Sequence, residues 1–294
     1  MAHLWPDNFP DPQVIVTGRD GDQAYLAIAT NAGGCNVPTL WSSDLQTWRA
    51  GDDALPALAS WTLPGKVWAP EAARFADRWV LYYTTRGPED GRQCISVATA
   101  ERPEGPYRDV SEAPLVYEDE AGGSIDASPF TDTDGQSWLT WKNDGNAVGV
   151  DTWISIQRLA SDGLSLLGEP VRLIKQDLAW EGHLVEGSYL WHRDGRFHLF
   201  YSANAFASAD YAVGHAVAEA PDGPYLKDPD PILVSNEVAA GPGHCTLFEQ
   251  GGRTWMVYHA WQPGAVGQAP GRSLWLSEVH FGADGSVRVD PPAR

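Results

Sequence analysis

Cysteine, positive charge and long apolar runs are all scarce in this 294-residue chain. The three cysteines, Cys35, Cys94 and Cys245, are odd in number and have no C-x-x-C spacing, so neither a disulfide framework nor a structural zinc site follows from them. Twenty Lys and Arg stand against 39 Asp and Glu, a formal charge of -19. That balance argues against nucleic acid or an anionic membrane as partner and favours a neutral or cationic ligand. No apolar run approaches the ~18 residues of a membrane span. The opening "MAHLWPDNFP" shows no basic region followed by an apolar stretch, so no signal peptide is read there. The expectation is a cytoplasmic protein, or an extracellular one if a leader has been removed. Oligomeric state leaves no trace in the sequence.

Tryptophan, by contrast, is abundant at fourteen residues. Most must serve the core, but flat apolar faces with one polar N–H also suit stacking on sugar rings, which raises carbohydrate as a ligand. Thirty glycines and 22 prolines predict many turns and few long helices. Apolar runs are short, rich in aromatic and β-branched residues, and bounded by Gly, Asp and Pro, a strand pattern. Five are alike: "YLAIAT" from Tyr25, "WVLYYT" from Trp79, "WLTWKN" from Trp138, "FHLFYS" from Phe197 and "WMVYHA" from Trp255. Their starts lie 54, 59, 59 and 58 residues apart. "PEGPY" (Pro103–Tyr107) and "PDGPY" (Pro221–Tyr225) repeat at 118 residues, two such periods. An even period above 50 residues made of strand and turn predicts an all-β, five-bladed β-propeller with four strands per blade, a single domain over residues 1–294.

In a propeller the first strand of each blade lines the axis, so equivalent positions on those strands converge. Upstream of the five runs lie "FPDPQVI", "WAPEAARF", "SIDASPF", "LVEGSYLW" and "GPGHCTLF". Their polar residues are Asp11, Glu71, Asp126, Glu186 and His244, spaced by 60, 55, 60 and 58. Asp11 stands between Pro10 and Pro12, which predicts a stiff, extended backbone there. Crowded carboxylates raise each other's pKa values and cost stability, which is more usual at a working site than in a structural ring. Beside aromatic faces they suit glycoside hydrolysis, in which one carboxylic acid protonates the leaving oxygen and another carboxylate activates water or attacks directly. Glu181 in "WEGHLVEG" competes with Glu186 for the acid position. Glu186 is preferred because it precedes Phe197 by eleven residues, as His244 precedes Trp255.

These motifs, in this order, resemble glycoside hydrolase family 43, and the resemblance runs from about Asn8 to about Pro291. It rests on Asp11 in a "DP" context, "WAPE" at Trp68–Glu71, Asp126 in "SIDASPF", Glu186 in "VEG" and "GPGH" at Gly241–His244. The resemblance implies a five-bladed propeller and an inverting hydrolase. Asp11 would be the general base toward water and Glu186 the general acid, while Asp126 would orient Glu186 and favour its protonated form. It further implies that Trp68 and Glu71 border the sugar pocket, that Arg272 in "GRSLWLSEV" lies against sugar and acids, and that His244 touches substrate or a metal. No cofactor is expected to be required. A lone histidine would hold a hard cation such as calcium through water, so any metal at His244 is expected as a hydrated ion in the channel.

The substrate is then an oligosaccharide or polysaccharide of hemicellulose or pectin side chains. An exo-acting α-L-arabinofuranosidase or β-xylosidase is expected first, in keeping with the absence of an export signal. Endo-1,5-α-L-arabinanase is the near alternative, decided by loops such as Thr30–Leu40 and Lys142–Trp153. A non-catalytic sugar-binding propeller is the rival from another class, although it would repeat one site per blade. A fructan-active retaining propeller would call for an "NDPNG"-like start, and "NFPDP" lacks it.

Overall fold

Each of the five aromatic runs is apolar on both faces because each face enters a different core. Along Tyr25–Ile28, Tyr25 and Ala27 pack into one cluster, with Phe248, Val257 and Leu274, while Leu26 and Ile28 pack into the next, with Leu81, Tyr83 and Tyr107. Side chains of a strand alternate between faces, so a strand sandwiched between two cores reads as a continuous apolar run rather than an alternating one. The same division recurs around the molecule. Val80 and Tyr82 join Leu139 and Trp141 in a third cluster, Trp138 joins Leu199 and Tyr201 in a fourth, and Phe200 joins Met256 and Tyr258 in a fifth.

A computed structural model describes residues 2–18, 24–87 and 91–293 of the chain. It is a five-bladed β-propeller, and each of the five cores fills the gap between two neighbouring blades. From the axis outward, blade 1 is Gln13–Val16, Tyr25–Ile28, Thr39–Ser42 and Trp48–Ala50. Blade 3 is Ser124–Thr131, Ser137–Asn143, Trp153–Leu159 and Leu166–Lys175, and blade 4 is Val185–Arg193, Arg196–Ala203, Ala212–Ala218 and Leu226–Lys227. The inner strands of successive blades pack against one another and close a ring.

Two blades depart from the expected four strands. Among the described residues, blade 2 has three, Leu63–Phe75, Arg78–Arg86 and Gln93–Ala100, and isolated bridges (Ile95 to Val116, Thr99 to Arg108) stand where a fourth would pair. Blade 5 has five. Ala240–Gln250, Arg253–Trp261 and Ser273–Phe281 are joined on the last strand by Val287–Val289 and by the N-terminal strand Ala2–Trp5. The N-terminal strand thus closes the ring by pairing with the last blade, and an exposed edge is covered at the same time. Tight turns join the inner and second strands. Asp194–Gly195 and Gly251–Gly252 have positive φ at both central residues, as two-residue hairpins of type I′ require.

All fourteen tryptophans are buried or half-buried, which agrees with their core role. No disulfide links Cys35, Cys94 and Cys245. Among the described residues, no helix is long and apolar enough to cross a membrane.

Candidate active site

In or just before the inner strand of every blade, one left-handed residue stands at an equivalent position. These are Asp11 (φ 55°), Ala69 (42°), Asp126 (59°), Gly187 (56°) and His244 (49°). In blades 2 to 5 the pairing with the second strand slips at this point, as at a β-bulge. A left-handed non-glycine residue costs about 1 kcal/mol or more, so something must hold it. In four blades a side chain at the end of the preceding blade's second strand accepts the N–H of the left-handed residue. Ala69 N donates to Thr30 Oγ1 at 2.7 Å, Asp126 N to Thr84 Oγ1 at 3.2 Å, His244 N to Ser202 Oγ at 2.7 Å and Asp11 N to His259 Nδ1 at 3.1 Å.

This ring corrects the register read from sequence. Asp11, Asp126 and His244 are equivalent, but their partners are Ala69 and Gly187, not Glu71 and Glu186. Glu186 sits one residue before the bulge, where blade 2 carries Trp68, and Glu71 sits two residues beyond it. Counting back from the aromatic runs fails because bulges and unequal hairpins insert residues between the inner and second strands. The extended backbone expected at Asp11 is overturned as well. The preference imposed by Pro12 yields to the bond from Asp11 N to His259 and to the anchoring of the carboxylate.

Asp11 is buried, and its oxygens are met by polar groups from several blades. Arg272 Nη1 donates to Oδ1 at 2.8 Å, and Thr30 donates to Oδ2. His259 and His244 bring Nδ1 to 3.2 and 3.4 Å of Oδ1. Burial alone would raise the Asp11 pKa, but the Arg272 guanidinium, with His244 and His259, holds it well below the usual carboxylate range. Burial, reinforced by Arg272, pushes His259 down to about 4, so its ring is neutral at pH 7 and its Nδ1 is free to accept from the Asp11 N–H. Asp11 is therefore an ionised carboxylate over the whole neutral range.

Asp126 and Glu186 occupy a different environment. Burial pushes Asp126 up to about 6; Glu186 and Asp11 add to the rise, while His244 and Lys142 oppose it. Asp126 Oδ2 accepts the Gly187 N–H at 3.0 Å, so it grips the backbone directly beside Glu186. A Cβ at position 187 would lie 3.0 Å from His244 Nδ1, on top of the positive φ, so the "EG" pair needs its glycine. Glu186 accepts from Lys142 Nζ at 3.0 Å on Oε2 and from the Tyr211 hydroxyl at 2.9 Å on Oε1. The Tyr211 ring stacks on His259, with centroids 5.7 Å apart and planes 6° apart. A continuous path of contacts thus joins Asp11, His259, Tyr211 and Glu186.

The other residues singled out in the sequence divide. Arg272 joins the cluster. Trp68 is half-buried at the blade 2 position equivalent to Glu186. Glu71 lies deeper, accepting from Ser128 Oγ at 2.9 Å, and burial drives its pKa well above the usual value. His244 faces Asp11. Among the described residues, no set of three His, Cys, Asp or Glu groups at metal-ligand spacing includes His244, so these side chains form no direct coordination shell there. Glu278, His280 and Asp290 do approach such spacing, but on the outer part of blade 5 and paired with Arg253 and Arg288. Glu181, the rival acid, is buried under Tyr201, Lys227 and the N–H groups of Asp177 and Leu178, a structural role.

Lys142, Tyr211, His259 and Thr30 are the members of the cluster that sequence reasoning missed. For three of them a signal exists. Thr30, Thr84, Ser202 and His259 are the last polar residues of their runs and Lys142 the last but one, before Asn143, a second periodic set near the ends of the second strands.

Residues 5–287 match the family model described as glycosyl hydrolases family 43. A β-D-galactofuranosidase of Aspergillus niger is 31% identical over 229 residues, which are 74% of this chain and 64% of that protein. An extracellular exo-α-(1→5)-L-arabinofuranosidase of Streptomyces chartreusis is 32% identical over 265 residues, 84% of this chain and 75% of that protein. The crystal structure of a thermostable family-43 glycoside hydrolase superimposes with a TM-score of 0.85 at 29% identity, covering 98% of this chain and 94% of that one. This chain therefore spans less than two thirds of the Aspergillus protein but nearly all of the superimposed propeller. By its family match, its fold and its identity to these relatives, the chain belongs to glycoside hydrolase family 43.

Proposed function

We propose that this chain is an inverting, exo-acting glycosidase that releases terminal furanosides, α-L-arabinofuranose foremost, with β-D-xylosides as the second substrate class. The observation that carries the proposal is the contrast between the two ends of the cluster. The Arg272 guanidinium, with His244, keeps Asp11 ionised, as a base toward water must be. Glu186 stands apart from that cation-rich end, taking hydrogen bonds from Tyr211 and Lys142, with Asp126 gripping the backbone N–H beside it. Pairs of carboxyl groups whose environments differ in this way are the signature of separate acid and base roles.

The proton bookkeeping is simple. Glu186 gives its proton to the glycosidic oxygen as the C1–O bond breaks, and the electron pair leaves with the alcohol. Water forms the new C1–O bond from the opposite face, and its proton goes to Asp11. Solvent then returns the proton from Asp11 to Glu186. Asp126, through the Gly187 N–H, holds the acid in place during both transfers. A hydrated ion near His244 would keep water as its ligands, and the acid–base steps belong to the carboxylates.

The furanoside preference draws on the names of the Aspergillus and Streptomyces relatives, and the exo action on the latter. The test is hydrolysis of nitrophenyl α-L-arabinofuranoside, β-D-xyloside and β-D-galactofuranoside, alongside linear arabinan, with the first product followed by NMR. The expected result is turnover of the arabinofuranoside with monosaccharide released in the inverted anomeric form. A retained first product would sink the water-and-base mechanism, and rapid internal cleavage of arabinan would sink exo action.

Phe206 supplies a second test. It is one of the few large apolar side chains left exposed, at 47%, and the Arg272 guanidinium lies 4.7 Å from its ring centroid. The Trp261 indole N–H fixes the Phe206 carbonyl at 2.7 Å. Arg272 also binds Asp11, so this ring stands at the rim of the site and is poised to stack on sugar. Phe206→Ala is expected to raise KM several-fold while kcat changes less, in line with about 0.5–1.5 kcal/mol for an aromatic contact. Unchanged KM on both aryl and oligomeric substrates would remove Phe206 from the binding surface.

A further inference from the structure

In four of the five blades, a polar residue near the end of the second strand accepts the N–H of the next blade's left-handed residue: Thr30, Thr84, Ser202 and His259. Blade 3 breaks the pattern with Lys142, whose ammonium has three donors and no acceptor. The Gly187 N–H turns to Asp126 Oδ2 instead, and Lys142 Nζ reaches Glu186 Oε2, each at 3.0 Å. Lys142 is 1% exposed, and a lysine is almost never that buried unless it is paired. Burial alone would lower its pKa, but Glu186, Asp126 and Asp144 together hold it above the ordinary value, so it is a cation at neutral pH.

We propose that Lys142 is the positioning residue of the general acid: it fixes the Glu186 carboxyl group and balances the negative charge that arises there when the proton leaves. This rests on Glu186 being the acid. The substitution of a donor for an acceptor at one blade out of five is what couples the two carboxyl groups. Asp126 is recruited to the Gly187 backbone because Lys142 has no lone pair to offer, and Glu186 gains a counter-ion in the same exchange. The charged and titratable groups around Glu186 come from several elements. Lys142 and Asp144, 3.7 Å apart, lie on or just past the second strand of blade 3, Asp126 lies on its inner strand, and Tyr211 comes from blade 4. His244 and Asp11, with Arg272, stand on the side of the base. Lys142 is the cation in direct contact with Glu186 among the described residues.

The test uses wild type, Lys142→Met, Lys142→Arg and Lys142→Thr on aryl glycosides whose phenols span several pKa units, with full pH profiles. Lys142→Met is expected to lose about 10-fold or more in kcat/KM on the poorest leaving groups and little on the best, because only the former need a strong acid. Its high-pH limb is expected to move up by about one unit or more, as loss of an adjacent opposite charge makes a carboxyl hold its proton longer. Lys142→Arg should restore both behaviours in part. Lys142→Thr provides the hydroxyl that other blades use, so it keeps the backbone bond and decides the matter if the methionine variant does not fold. A folded variant with wild-type leaving-group dependence and an unmoved high-pH limb overturns the proposal. Glu186→Gln, run alongside, separates the two assignments. If it shows acid loss and Lys142→Met does not, the Lys142 role alone fails; if Glu186→Gln is itself unaffected, both fail.

Discussion

Glu186→Gln is expected to fold normally and to lose about 10²–10⁴ in kcat on substrates with alkoxide leaving groups. Glutamine keeps an oxygen for the Lys142 ammonium or the Tyr211 hydroxyl, so the packing around position 186 changes little. What disappears is the transferable proton. A dinitrophenolate leaves without protonation, so dinitrophenyl glycosides are expected to be cleaved at close to the wild-type rate. Thermal melting checks the fold, and the leaving-group series checks the chemistry. Equal losses on dinitrophenyl and alkyl glycosides would mean that Glu186 serves binding or structure and that the acid is another group.

The propeller was readable because its period is a property of whole blades. Two cores flank every second strand, so "WVLYYT" and its four counterparts had to be apolar on both faces, and blades of similar size had to repeat them at similar intervals. Local deviations were not readable. Blade 2 lacks a fourth strand and blade 5 gains one because loops and chain ends adjust at the rim, where no core fixes the count. Asp11, Asp126 and His244 aligned correctly since each is the left-handed residue of its own blade. Glu71 and Glu186 misaligned because a bulge adds a residue without leaving a mark in the apolar pattern. Lys142 and His259 did leave one, as polar residues near the ends of their runs, but the meaning of that mark lies in what the neighbouring blade's N–H does. Tyr211, contributed by the segment leading into Ala212–Ala218, had no periodic counterpart at all.

Asp11→Asn is expected to abolish nearly all hydrolysis, by about 10²–10⁴ or more, on good and poor leaving groups alike. That uniform loss is what distinguishes a missing base from a missing acid. Asparagine tolerates left-handed backbone almost as well as aspartate, and its Oδ1 can still accept from Arg272. The bond from the backbone N–H to His259 is untouched. The expected stability loss is therefore that of a weakened charged hydrogen bond, about 1–3 kcal/mol, read as a modest drop in Tm. Asp11→Gly sharpens the point. Glycine favours φ near 55°, so the backbone at the bulge is at least as well formed without the aspartate. Any activity then lost is lost chemically and not through a misfolded strand. The vacated space admits a small anion, and azide is expected to restore turnover of dinitrophenyl glycosides, giving the glycosyl azide of inverted configuration. If Asp11→Gly melts like wild type and still hydrolyses at wild-type rates, Asp11 is only the strained residue that anchors Arg272, and the base must be sought elsewhere in the channel.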